Sequence, residues 1–288
     1  MSLKTVFIIT VPLCAALIFI LAILSRSENP EFERRMRERE ELERLIQREV
    51  PERPVDPKEA LKSFKKSHEE HLAGNPAGAG GVQKARDALL KLDEKSLPSV
   101  KGAIYDNTEP ALLRMELVGI LGDMSGSEAE SLLLTVLLDR NLEERLRGVA
   151  LSKLTGRKSD AVFQALRTLY QENTFPGKHL ILKAIGETNH AGSASILIEA
   201  LKREKDVSIK IQALDSLGVQ ASSPALEAAR TVLFQESDEN IRIAAIAALG
   251  KAQDATAGKL LEEISQSPEM SPALRKAAIN WLQRRAHK

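Results

Sequence analysis

The sequence is short of the residues that build reactive sites and disulfide-stapled cores. Among 288 residues there are one cysteine, one tryptophan and two tyrosines, and aromatics make up 3%. A lone Cys14 excludes a disulfide framework or a cysteine-based zinc site within one chain. A β-sandwich would draw on Val, Ile, Tyr and Trp, whereas here Ala and Leu carry the apolar content, which favours packed helices. Charge of one sign is also lacking: 41 Lys and Arg against 40 Asp and Glu leave a net +1. Polyanion binding needs a basic excess to neutralise phosphates, so no nucleic-acid partner is expected. There is no nucleophile elbow, phosphate-cradling glycine loop or zinc-ligand spacing. No catalytic, cofactor-binding or metal residue is therefore assigned, and an enzyme is not expected.

One long apolar run is present. Val6 to Leu24 (VFIITVPLCAALIFILAIL) is nineteen residues without a charge. At about 1.5 Å per residue it spans roughly 28 Å, close to a bilayer core of about 30 Å. Residues 1–25 are expected to be a transmembrane anchor or uncleaved signal-anchor. The rival is a cleaved signal peptide, but its apolar region usually runs about 7–15 residues. Ser25-Arg26-Ser27 is a mediocre cleavage site, and Leu13 before Cys14 does not suit a lipoprotein signal. Counting Lys4 against Arg26, Arg34, Arg35, Arg37 and Arg39 puts the bulk of the chain in the cytoplasm. Glutamates interleave those arginines, and exported domains are anchored by similar segments, so the orientation stays open.

Residues 26–80 read as a charged helical stalk with Pro/Gly linkers. Asn29 and Pro30 suit a helix start, and Glu31–Arg35, Glu33–Arg37 and Glu40–Arg44 are favourable i,i+4 pairs. Phe32, Met36, Leu42, Leu45, Ile46 and Val50 are apolar, but Arg39 and Glu43 interrupt a coiled-coil seam. A solvated spacer and a dimerising coil both fit, which leaves the oligomeric state open. Pro51, Pro54 and Pro57 mark a helix stop and stiff linker. A short amphipathic helix is expected from about Lys58 to Leu72, with Leu61, Phe64, His68 and Leu72 near one face. Gly74–Gly81 (GNPAGAGG) reads as a flexible break and domain boundary.

Beyond Gly81 the sequence repeats itself. Leu121, Leu154, Ile185, Leu217, Leu249 and Leu282 are spaced by 33, 31, 32, 32 and 33 residues. Seven positions earlier stands a base: Arg114, Arg147, Lys178, Lys210, Arg242 and Arg275. Apolar residues occupy the −4 and −3 columns, the latter being Val118, Leu151, Leu182, Leu214, Ile246 and Ile279. These offsets form one face of a helix. Gly122, Gly186, Gly218 and Gly250 follow the leucine and are expected to cap the helix in the left-handed conformation. Thr174, Asp206, Asp238 and Ser271 stand eleven positions before it as expected N-caps. A second helix follows in each unit, preceded by Ser159, His190, Ser222 or Asp254. An earlier, degenerate unit runs through Ala88, Leu89, Leu92, Val100 and Ile104, and the last helix, Ser271 to Arg284, reads as a cap. A period of 20–50 residues means a solenoid, in which neighbours bury each other's faces.

Asp206–Gly218 (DVSIKIQALDSLG) and Asp238–Gly250 (DENIRIAAIAALG) resemble the short HEAT-like repeats first noted in phycobilisome bilin lyases. The resemblance covers roughly two-thirds of the chain, residues 81–288. It implies an all-α, right-handed α-solenoid of about six helix pairs, with second helices lining a concave face, and a structural Asp-to-Arg ladder. Deoxyhypusine hydroxylases are also HEAT-like and carry His-Glu pairs through their units. The only such pair here, His68-Glu69, lies outside the repeats, a departure that speaks against a di-iron site. His68 and His71 are read as a solvated helix end.

The expected function is a membrane-tethered scaffold that binds a protein or peptide through the second helices. The candidate partner-binding residues are Gln164, Arg167, Gln171, Glu199, Lys202, Arg203, Glu227, Arg230 and Gln235. Their mixed signs suit a protein surface. An enzyme or enzyme subunit resembling a bilin lyase, and an oligomeric assembly factor dimerising through the charged stalk, remain as alternatives.

Overall fold

The leucine column sets the architecture, because each of its residues is buried only when a neighbouring unit covers it. The structure, a computed structural model, describes Arg34 and residues 55–286. The anchor run Val6–Leu24 and, apart from Arg34, residues 26–54 of the stalk segment lie outside the described residues. Among the described residues there is no strand, and no helix is long and apolar enough to cross a membrane.

Asp56–Lys288 forms one compact unit. It opens with α1 (Pro57–Leu72), α2 (Pro76–Leu92), a short 3-10 turn and α3 (Leu97–Tyr105). Five helix pairs follow: α4 (Ala111–Asp123) with α5 (Ser127–Leu138), and α6 (Glu144–Leu154) with α7 (Asp160–Glu172). Next come α8 (Lys178–Thr188) with α9 (Ser193–Arg203), and α10 (Val207–Gln220) with α11 (Ser223–Gln235). Last are α12 (Glu239–Lys251) with α13 (Ala255–Gln266), then the closing α14 (Pro272–Ala286). The even-numbered helices from α4 stack on one another as a first row, and the odd-numbered helices from α5 form a second row. One apolar core runs between them. Leu121, Leu154, Ile185 and Leu217 are fully buried in it, each worth about 2 kcal/mol of burial.

The expected break at Gly74–Gly81 is helical from Pro76 onward. Gly78 serves close packing, because a Cβ there would sit 2.5 Å from the His71 backbone nitrogen. The α1–α2 hairpin is therefore part of the repeat body.

The post-leucine glycines correct a second expectation. Gly122, Gly186, Gly218 and Gly250 lie inside their helices. The left-handed residues come later, at Asn189, Ala221 and Gln253. What the glycines provide is close approach within the first row. A Cβ on Gly186 would lie 2.5 Å from the Ser216 Cβ, and one on Gly218 would lie 2.7 Å from the Ala248 Cα.

The N-caps fall where expected at Asp206, Asp238, Ser159 and Asp254, whose side chains accept backbone N–H groups one turn ahead. Ser271 accepts from the Leu274 N–H. Thr174 does not cap α8, which starts four residues later, after a left-handed Gly177.

The basic column forms a ladder, but not with the acid four residues before it. Asp206 and Asp238 are occupied as caps. The bases instead reach the loop of the following unit. Arg114 donates to Glu143 at 3.0 Å, Lys178 to Glu204 at 2.9 Å and Lys210 to Glu236 at 2.6 Å. Arg114, Arg147 and Arg242 also donate through Nε to the carbonyls of Ile104, Leu137 and Leu233, at the ends of second helices. Arg114 and Arg147 are 3% and 5% exposed, so they join successive units inside the protein. Burial, with Arg140 nearby, pulls the Arg147 guanidinium below its usual pKa.

Gly218→Val drives a side chain into the Ala248 backbone and should cost at least about 2 kcal/mol in a urea melt. Gly119→Ala, where a Cβ meets nothing within 4 Å, should be neutral or stabilise by up to about 1 kcal/mol. The Lys210 hydrogen bond, followed by the Ser237 N–H, holds the Glu236 carboxyl below its ordinary pKa. A lowered folded-state pKa adds stability above the unfolded pKa and loses it as pH falls through the folded one. Lys210→Met should therefore cost about 0.5–1 kcal/mol at pH 7, with the gap closing toward pH 3. An equal gap at both pH values would show that the contact is not ionic.

Candidate functional site

The first row is held close by small residues, whereas the second helices meet one another less closely. The clearest gap lies between α9 and α11. It is a groove of about 500 Å³ lined by Ile198, Leu201, Lys202, Pro224, Glu227, Ala228, Thr231, Val232, Gln235 and Glu236. Ile198, Leu201, Ala228 and Val232 make its apolar floor, and Lys202, Glu227, Gln235 and Glu236 its polar rim. Pro224 stands in the first turn of α11, where it replaces a backbone N–H that would have no helical partner. A smaller groove of about 210 Å³ lies on the other flank of α11, against α13, and includes Glu227, Arg230, Asp254 and Leu260.

The rim charges are differently engaged. The Glu236 carboxylate is held by Lys210. Thr231 donates its hydroxyl to the Glu227 carbonyl at 2.9 Å, the i−4 backbone bond common for helical threonine. Lys202 pairs with no carboxylate among the described residues, so its ammonium is available to a ligand. Further along the row, Lys178 and the Tyr170 hydroxyl both donate to Glu204, at 2.9 and 3.1 Å. Burial, then the Glu204 charge, pushes the Tyr170 phenol pKa up. Tyr170 is thereby held as a neutral donor to Glu204.

Of the nine candidate residues, eight are exposed and Glu199 is half-buried. Lys202, Glu227 and Gln235 come together on the α9–α11 groove, and Arg230 joins Glu227 on the smaller one. Glu199 and Arg203 are tied to each other at 2.5 Å. Gln164, Arg167 and Gln171 are exposed on α7 and line neither groove. The groove floor went unassigned in the sequence, yet one signal was there. Thirteen positions after the repeat leucine stand Leu134, Arg167, Ile198, Arg230 and Glu262. Ile198 puts an apolar residue where the next unit on either side has an arginine.

The histidines divide. His68 is not solvated: it is 2% exposed, lies 3.6 Å from Glu116 and has the Phe64 ring beside it. His71 is exposed, so the two imidazoles do not converge. His190 stacks on Phe163 with centroids 3.8 Å apart, and its Nδ1 accepts the Gly192 N–H. Among the described residues no group of three or more His, Cys, Asp or Glu is placed to hold a metal ion.

No curated protein matches the chain significantly. The structure of human deoxyhypusine hydroxylase in complex with glycerol is similar at 16% identity, covering 81% of this chain and 98% of that one. Its TM-score of 0.34 is too low to support an argument about activity. A family model for HEAT repeats matches residues 194–283, a span that contains both grooves, and supports a HEAT-like repeat family for the chain.

Proposed function

We propose that this protein is a membrane-tethered scaffold, not an enzyme, and that it holds a protein or peptide ligand on its second-helix row. The observation that carries the reading is the α9–α11 groove, with its apolar floor and mixed polar rim. Such a groove accepts one or two apolar side chains of a ligand and fixes them by hydrogen bonds at the edge. Lys202 on one wall suits a ligand carboxylate, and Gln235 on the other suits a backbone amide. Val6–Leu24 supplies the tether, and the charged segment after it supplies the spacer.

Photoreactive residues at Lys202, Arg230 and Gln235, with first-row controls at His179 and Asp215, test the surface in native membranes. A discrete protein should crosslink from the groove sites alone. Equal labelling from the controls would remove the second-helix row as the working face. The tether has its own test. The full chain should stay with membranes through alkaline extraction, and the chain from residue 26 should not.

A further inference from the structure

The last helix carries half of an interface. In the −3 column Val118, Leu182, Leu214 and Ile246 are fully buried and Leu151 is 3% exposed, but Ile279 is 41% exposed. In the leucine column Leu282 is half-buried, where its five predecessors are buried. On each earlier first helix this face is turned to the next unit. On α14 no described residue covers it.

The ladder is interrupted at the same place. Arg114, Lys178 and Lys210 each reach a carboxylate in the following loop. Arg275 donates only backwards, to the Ser267 carbonyl at 3.3 Å. Helix α14 also carries Lys276, Arg284 and Arg285 and has no acidic residue. Arg284 lies over the Trp281 ring, and Arg285 donates to the Asp254 carbonyl. None of the four cations meets a carboxylate among the described residues. Solenoids keep a polar outer face on terminal units. Helix α1 does so at the other end, where its exposed residues are polar or charged apart from Leu72 in its last turn.

We propose that the outer face of α14, centred on Arg275, Ile279 and Leu282, is a docking surface for an amphipathic helix of a protein partner, one with a carboxylate in the loop before it. The interior units define that chemistry. There the same columns receive an apolar first helix, and the base receives Glu143, Glu204 or Glu236 from the loop ahead of it. Charge complementarity favours an acidic partner over a second copy of α14, because two such helices would oppose cation to cation. The proposal does not depend on what the α9–α11 groove binds.

The probe is the peptide Glu236–Lys251 from this chain. Its native copy covers the equivalent face of α10, with Glu236 on Lys210. Binding to the full chain is read by calorimetry and by the fluorescence of Trp281, the single tryptophan. Saturable one-to-one binding is expected. Arg275→Glu and Ile279→Asp should each weaken it by at least about tenfold. A Glu236→Lys peptide should recover affinity for the Arg275→Glu chain. Unchanged circular dichroism melts show that both surface variants fold. Three outcomes overturn the proposal: no saturable binding, binding that neither substitution alters, or a free chain that sediments as a dimer until Ile279→Asp is introduced.

Discussion

Close approach along the first-helix row is the constraint from which the rest of the structure follows. Gly186 against Ser216 and Gly218 against Ala248 leave no room for another carbon. Backbones meet there, and the leucine column is sealed beneath them. The second helices meet one another less closely and are not drawn together in the same way. A two-row stack with one tight row leaves open space in the other. The α9–α11 groove is thus a consequence of where the small residues lie, not a separate structural element.

The one departure from this rule shows how it works. In the second unit Thr155 takes the place of the glycine, and α6 ends at Leu154. Gly156 then turns left-handed. A gap of about 350 Å³ opens between α6 and α8, lined by Leu151, Ser152, Thr155, Leu180 and Lys183. The joint is held by other means. Arg147 donates to the Thr174 carbonyl, Phe163 stacks on His190, and Lys178 with Tyr170 engages Glu204. Polar and aromatic contacts across the loops substitute for backbone contact between helices. Helix-to-helix contact between α6 and α8 is sparse beside that at the other first-row joints, so this joint has the local features of lower stability.

The helices and their order were legible in the sequence because a 3.6-residue pattern is local and recurred in register. Three readings failed where the information was not local. A glycine after the last leucine of a helix looks the same whether it caps the helix or admits a neighbour; only Ser216 and Ala248, about thirty residues on, decide between the two. The resemblance implied an Asp-to-Arg ladder, which in this sequence would join Lys210 to Asp206 four residues before it. In the fold, Lys210 meets Glu236, and Asp206 is spent on the N–H groups of Ser208 and Ile209. Gly74–Gly81 looked flexible by composition, yet Gly78 is demanded by its packing on His71. Of the candidate site, the exposed polar rim could be found from helical phase. The floor could not, since it exists only through the distance between α9 and α11.

A repeat array of this kind gains specificity through single departures from its own pattern. The columns that build the stack are nearly the same in every unit and so distinguish no ligand. Ile198, apolar where Arg167 and Arg230 stand in its neighbours, makes one groove unlike the next. Ile279, exposed where five equivalents are buried, makes the last helix unlike the others. Each departure adds apolar surface beside an uncommitted cation, Lys202 in one case and Arg275 in the other. Apolar surface alone would bind without discrimination, and an exposed cation alone is worth little in water. Set side by side they favour an acidic, amphipathic ligand over either a purely apolar or a purely charged one. If both surfaces hold protein ligands as proposed, one partner carrying two such elements would bridge them with an affinity above that of either contact.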